Sequence, residues 1–251
     1  MQKAAFLSDE KPLLLQGAMD LETATLRSHI KGCRTTWVGS FVFWQGLIGQ
    51  QPVVLAKTGI GTAAAAASTA LGCELFHPCA ILNQGTAGAY TADLHPYDLV
   101  LACAVYNANG TFTTKDGYTR FLDLDALEKE SDELKFTSDQ PFTLPTVGQV
   151  YDWLEANRET YTRGTLYAGL MASGDQWNED PELLKGYEKF FHVACEEMEA
   201  AAACSVAQKF GIPFGAVRAI SNKNRLGEAF VPETAVALQA WLVGLLENKG
   251  L

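Results

Sequence analysis

Residues 52–71 read PVVLAKTGIGTAAAAASTAL. The apolar run Pro52 to Lys57 is a strand candidate, the glycines of Gly59-Ile60-Gly61 turn the chain, and the alanine-rich stretch Thr62 to Leu71 has the composition of a helix. A strand passing through a glycine turn into a helix is the unit from which α/β folds are built. The same alternation extends in both directions. Upstream, Lys11 to Gln16 is a short strand candidate, and Gly17-Ala18-Met19-Asp20 then opens a helix whose early acids Asp20 and Glu22 suit a helix N-terminus. Thr36 to Ile48 reads as one strand, joined to Pro52–Lys57 by the turn Gly49-Gln50-Gln51. Downstream, strands are expected at Cys79 to Asn83, broken at Gly85-Thr86-Ala87-Gly88, and at Tyr97 to Tyr106, Thr165 to Ala172 and Pro213 to Ile220. Helices are expected at Val147 to Asn157, Pro181 to Phe190, Met198 to Phe210 and Glu233 to Glu247. The stretch 107–145 mixes Gly, Thr, Asp and Lys without period and is expected to form a loop or flap.

With 251 residues, 48% hydrophobic and 19% charged, the chain can bury a full core, and one domain over 1–251 is the expectation, with 1–10 as an N-terminal extension. No apolar run reaches the roughly 18 residues of a membrane span, and the start has no signal-peptide pattern, so a cytoplasmic location is expected. A net charge of -10 disfavours nucleic acid and anionic lipid as partners. The six cysteines form no CxxC pair, and His29, His77, His95 and His192 form no HxxxH, so neither a metal nor a redox cofactor is expected. No P-loop is present, and the Gly59/Gly61 pair lacks the third glycine and the downstream acid of a dinucleotide fingerprint.

Ligands of α/β sheets gather at the carboxyl ends of strands. Five such ends stand out in the sequence: Gly17 to Glu22, Asn83 to Gly88, Ala172 to Trp177, Glu197 to Ala200, and Arg218 to Asn222. Each has an ordinary structural reading as turn, dipole partner or cap. The run Cys195-Glu196-Glu197-Met198-Glu199 is harder to explain that way, because its three acids flank a strongly apolar helix. A carboxylate facing the core side needs a partner, and a ligand hydroxyl is one.

In order and spacing these motifs resemble the 5'-methylthioadenosine/S-adenosylhomocysteine nucleosidases and their nucleoside phosphorylase relatives. The resemblance runs from about Leu13 to about Leu245 and is clearest at Gly17-Ala18-Met19, Thr58-Gly59-Ile60-Gly61, Ser173-Gly174-Asp175-Gln176, Glu197-Met198-Glu199-Ala200 and Val217-Arg218-Ala219-Ile220-Ser221. It implies a three-layer α/β/α fold with a mixed central sheet, no cofactor, a purine nucleoside as small-molecule substrate, and a homodimer in which a loop near 107–120 closes over the partner's site. It further implies that Glu22 activates water with Arg218 close by, that Thr86, Ala87 and Gly88 form the turn beside the sugar, and that Glu197, Met198 and Glu199 form the ribose site, Glu199 accepting from the 2' and 3' hydroxyls. Trp177 stands where a phenylalanine stacks on the base, and the backbone of Asn178 lies by the purine edge.

The resemblance breaks at Asn222, where the nucleosidases place an aspartic acid that protonates N7 of adenine. An amide cannot act as a general acid, but it can donate N–H bonds. That suits a 6-oxopurine with acceptors at O6 and N7, as in inosine or futalosine. The leading expectation is hydrolysis of such a nucleoside. A 5'-methylthioadenosine/S-adenosylhomocysteine nucleosidase, a phosphorylase and a non-catalytic nucleoside-binding protein are the alternatives. Gln84, where phosphorolytic relatives usually carry an arginine, and the acid Glu22 favour water over phosphate.

Overall fold

Leu13, Leu14 and Leu15 open strand β1 (Leu13–Gly17), every residue of which is buried. In this computed structural model, which describes residue 7 and residues 10–129 and 137–247, β1 lies between two parallel neighbours, β4 (Gln51–Lys57) and β5 (Ala80–Ala89). The N-terminal extension expected at 1–10 falls outside the described residues except at Leu7 and Glu10. Successive strand residues face opposite sides, so both faces of β1 need cover. Leu13, Leu15 and Leu55 pack with Leu26 of α1 (Asp20–Ser28), Leu154 of α4 (Gln149–Ala156) and Leu242 of α7 (Glu233–Glu247). Leu14, Val54 and Ile81 pack with Cys73 of α2 (Thr62–Phe76) and Ala203 of α6 (Ala200–Phe210). The three-layer α/β/α arrangement follows from that alternation.

The main sheet has ten strands among the described residues, in the order β10 (Thr143–Pro145), β6 (Leu99–Asn107), β11 (Leu166–Ser173), β12 (Val193–Glu197), β5, β1, β4, β3 (Phe41–Ile48), β2 (Lys31–Val38). The tenth, β13 (Phe214–Lys223), pairs in parallel with β5 and antiparallel with β6. Strands β5, β13, β6, β11 and β12 therefore close on one another, and the sheet is mixed as expected.

Several sequence expectations are corrected. Thr36–Ile48 is not one strand, because the chain turns at Gly39-Ser40 and forms the β2–β3 hairpin. The Gly85–Gly88 stretch does not end its strand, since β13 pairs with it through Ala89 and supplies the missing ladder partners. No strand was expected at Val193–Glu197, yet β12 lies there, and its helix begins only at Ala200. The flap region contains a separate sheet of β7 (Thr111–Thr113), β8 (Thr119–Leu122) and β9 (Thr137–Ser138), a short helix α3 (Leu124–Lys129), and β10. Helix α5 (Pro181–Phe191) matches its expectation, capped by the Asp180 side chain.

Leu15 sits at the centre of this framework with no exposed surface. Leu15→Ala is expected to destabilise the protein by about 2–5 kcal/mol through lost burial and a residual cavity, read as a lower midpoint in urea unfolding at unchanged slope.

Candidate active site

One cavity opens where the carboxyl ends of β1, β5, β11, β12 and β13 meet. Glu22, Thr86, Ala87 and Gly88 line it together with Glu197, Met198 and Glu199, and with Ser221 and Asn222 of β13. Trp177, Ile60 and Phe230 stand at its mouth, all exposed. Most of the residues singled out in the sequence therefore converge. Arg218 and Asn178 are the exceptions, since both lie behind the cavity wall.

Glu22 is buried at the start of α1. Its Oε1 accepts from the Thr86 backbone N–H at 2.8 Å and the Thr86 hydroxyl at 2.9 Å, and its Oε2 accepts from the Ala18 N–H at 2.9 Å. A carboxylate offers about four acceptor positions, so one on Oε2 is left for a ligand or water. The close fit needs Gly85, because a Cβ there would stand 2.7 Å from Glu22 Oε1. Gln84 donates to the backbone carbonyls of Glu22 at 2.7 Å and Gln16 at 3.3 Å, which makes it a strut for α1.

The acids of β12 divide sharply by what they already hold. Glu197 accepts from the N–H groups of Glu199 and Ala200 at the start of α6 and from the Arg218 guanidinium. Three donors thus hold it, most of them at Oε2, while Oε1 takes only the Ala200 N–H that the two oxygens share. Glu199 accepts only from the Gly61 N–H, at 2.9 Å, with Arg218 Nη2 3.9 Å from its other oxygen. Burial and the neighbouring Glu197 carboxylate push the Glu199 carboxyl up to about 7, against the opposing pull of Arg218 and the Gly61 N–H. Of the two, Glu199 holds fewer donors and keeps the greater acceptor capacity.

Arg218 lies beneath the carboxylates, fully buried on β13. It donates to Glu197, to Asn83 Oδ1 at 2.5 Å and to the carbonyls of Asn83 and Val217. Asp175, in another of the quoted motifs, caps α2 through the backbone N–H and hydroxyl of Thr62, both at 2.7 Å. The ordinary structural reading holds there. Trp177 lies at the rim with its indole N–H donated to Glu179 at 3.0 Å.

Asn222 is buried on β13 just after a bulge, since Ile220 pairs with Ala87 and Asn222 with Gly88, leaving Ser221 as the extra residue. Bulges re-aim side chains beside functional sites, and here the shift brings Asn222 to the cavity. Glu196, the first of the three acids in the run Cys195–Glu199, also lines it, as does Asn224, which carries no signal in the sequence. Glu196 receives the Asn178 N–H at 3.0 Å, so of the Asn178 backbone groups the donor is already engaged. Among the described residues lining the cavity there is no lysine or arginine, and no group of His, Cys, Asp and Glu there could hold a metal ion. No helix of the described residues is long and apolar enough to cross a membrane.

Residues 12–240 match the family model described as "Phosphorylase superfamily". The chain is 31% identical over 207 residues to the 5'-methylthioadenosine/S-adenosylhomocysteine nucleosidase of Psychromonas ingrahamii, covering 82% of this chain and 83% of that protein. Its fold superposes on the nucleosidase of that name from Neisseria meningitidis, solved with methylthio-immucillin-A, with a TM-score of 0.76 at 22% identity, over 94% and 99% of the two chains. A futalosine hydrolase mutant of Helicobacter pylori gives a TM-score of 0.74 at 23% identity, again over 94% and 99%.

Two variants separate the roles of the buried charges. Arg218→Leu leaves Glu197 and Glu199 without their cation and is expected to cost about 3–5 kcal/mol, a large fall in Tm. Glu199→Gln should do the opposite. A carboxyl whose folded pKa is raised contributes stability at low pH that is lost as pH rises towards about 7. Glu199→Gln is therefore expected to melt at or above the wild-type Tm at pH 8, with the margin shrinking towards pH 5, as scanning calorimetry would record.

Proposed function

The chain belongs to the phosphorylase superfamily, and from that premise we propose that it is a purine nucleosidase, an N-glycosyl hydrolase that replaces the base at C1' with a hydroxyl from water. The observation that carries the reading is one cavity on which Glu22 and Glu199 keep acceptor capacity, with no cation among its described lining residues to hold phosphate. Thr86, Met198 and Glu199 take the ribose, with the Glu199 carboxylate accepting from its hydroxyls. The indole of Trp177 covers the base.

Cleavage of a ribosyl C–N bond passes through a sugar with oxocarbenium character, so an anion close to the ribose stabilises the transition state more than the ground state. Glu199, ionised, is that anion. Glu22 takes a proton from the water as its oxygen bonds to C1', while the bonding pair of the C–N bond leaves with the base. The departing base must have its charge met.

On the base, the geometry and the relatives pull apart. An amide at Asn222 offers hydrogen-bond donors but no acid proton, which favours a 6-oxopurine whose leaving anion is shared between O6 and N7. The second reading is an adenine nucleoside such as 5'-methylthioadenosine or S-adenosylhomocysteine. It is favoured by the names of the relatives at about 30% identity, and within it Asn222 would donate to N7 alone.

The direct test is release of free reducing ribose or 5-substituted ribose from purine ribonucleosides, with and without phosphate. Phosphate-independent release is expected, and Glu22→Ala should abolish it while the nucleoside still binds in calorimetry. Release that requires phosphate and yields a ribose 1-phosphate would make the protein a phosphorylase. Nucleoside binding without any turnover would make it a binding protein.

The state of Glu199 sets a second expectation. Because its carboxyl is pushed up to about 7, log kcat/KM for the free enzyme should climb with pH at a slope of about one and level off above that value. A profile flat from pH 5 to 8 would remove Glu199 as the anion facing the sugar.

A further inference from the structure

Glu196, which lines the cavity with Asn222 and Asn224, accepts four hydrogen bonds from the protein itself. Its Oε2 accepts from the Tyr90 phenol at 2.5 Å and from Asn178 Nδ2 at 2.7 Å, and its Oε1 from the Asn178 N–H at 3.0 Å and from Asn224 Nδ2. Four donors meet a group with about four acceptor positions. Burial and the Glu196 charge push the Tyr90 phenol well up, so it stays a donor.

The chain continues from there. Asn224 Oδ1 accepts from Asn222 Nδ2 at 2.5 Å, and Asn222 Oδ1 accepts from the Ser221 hydroxyl at 2.8 Å. The two ends of this chain differ in kind. The Ser221 hydroxyl also lies 3.1 Å from the Ala87 carbonyl and can rotate between donor and acceptor roles, so it accommodates either orientation of the Asn222 amide. A carboxylate cannot, because it only accepts. It requires the nitrogen of Asn224 on its side, which puts the oxygen of Asn224 towards Asn222, which in turn requires the nitrogen of Asn222. Gly88 keeps the middle link in place, since a Cβ there would overlap the Asn224 amide.

We propose that Glu196, acting through Asn224, is the positioning residue that fixes which end of the Asn222 amide faces the bound base, and that it thereby sets base preference. One N–H of Asn222 is engaged by Asn224, and the other is presented to the base. An acceptor at O6 or N7 is met, whereas an N6 amino group finds a donor. Reversing the amide would turn the oxygen of Asn224 onto the Glu196 carboxylate. This rests on the reading of Asn222 as the base contact, and the two can fail separately.

The experiment compares kcat/KM for 5'-methylthioinosine and 5'-methylthioadenosine in the wild type, Glu196→Gln, Asn224→Leu and Tyr90→Phe, each checked by thermal melting. Glutamine can donate as well as accept, so in Glu196→Gln both asparagines can reverse with every partner satisfied. The wild type should favour the hypoxanthine substrate by about tenfold, the worth of one hydrogen bond to a base. Glu196→Gln should bring the ratio to within about twofold of unity, and Asn224→Leu, which removes the middle link without touching the charge, should do the same if Glu196→Gln does not fold. Tyr90→Phe removes a donor on the far side of Glu196 and should leave the ratio as in the wild type. Variants that lower both substrates equally and keep the wild-type ratio would overturn the relay while leaving the 6-oxopurine reading intact. A wild type that favours the adenine substrate, with a ratio that still collapses in Glu196→Gln, would overturn the 6-oxopurine reading and support the relay.

Discussion

The buried contact between Arg218 and Glu197 is the constraint from which the rest of the site follows. Both side chains are about 1% exposed, and removing two charges from water is costly unless nearly every remaining donor and acceptor is met. Here Arg218 also reaches the side chain and carbonyl of Asn83, and Glu197 gathers the first N–H groups of α6. One interaction thus ties β13, β5 and β12 together and sets where α6 begins. It also places a single cation beneath Glu22, Glu197 and Glu199, the three carboxylates that act on it. The imbalance is visible in Glu199, whose carboxyl is held up by burial and by Glu197. A pocket with more buried anion than cation disfavours itself when empty, and it favours a ligand that develops positive charge.

Neighbouring residues serve opposite needs because of the strand that carries them. Side chains alternate across a strand, so on β12 Glu197 turns to Arg218 while Glu196 turns to Tyr90, Asn178 and Asn224. The result is two separate polar networks meeting at one cavity. One is ionic and lies under the proposed sugar site. The other ends in neutral amides and lies under the proposed base site. The β13 bulge at Ser221 is what lets both reach the same space, since without the extra residue Asn222 would keep the ladder's alternation and lose its register opposite Gly88.

Much of this was legible in the sequence, and the parts that were not share a cause. The strand–turn–helix units at β1–α1 and β4–α2 could be read directly, because apolar runs, glycines and alanines each act locally. Glu22, Thr86, Met198 and Glu199, singled out in the sequence, line one cavity. Strand β12 was missed because its five residues include two adjacent acids, a composition that only long-range partners can turn into a buried strand. Glu196 was noticed only as one of three acids, without its partners, and Asn224 was not read at all. That Arg218 lies under the carboxylates and does not line the cavity could not be read, since nothing local tells whether a guanidinium faces a cavity or lies under it. The hydrogen-bonded reach of β5 through Gly85–Gly88 was hidden in the same way, for glycines read as a break unless the pairing strand is known.

The two networks also explain how the resemblance to the methylthioadenosine nucleosidases can be strong along the chain and still leave the base open. Stabilising a cationic sugar asks for buried charge, and buried charge is coupled to the fold through Arg218, so changing it would unsettle several strands at once. Reading a base asks for a few oriented hydrogen bonds, each worth about 1–2 kcal/mol, and here these involve side chains from β12, β13, the turn at Asn224 after it, Tyr90 and the segment around Asn178. Changes there leave the framework nearly untouched. In this chain the proposed base end is built from amides hydrogen-bonded back to one carboxylate, Glu196, and that carboxylate touches none of the ionic network through its own hydrogen bonds. Base recognition can therefore vary on a sugar site that does not.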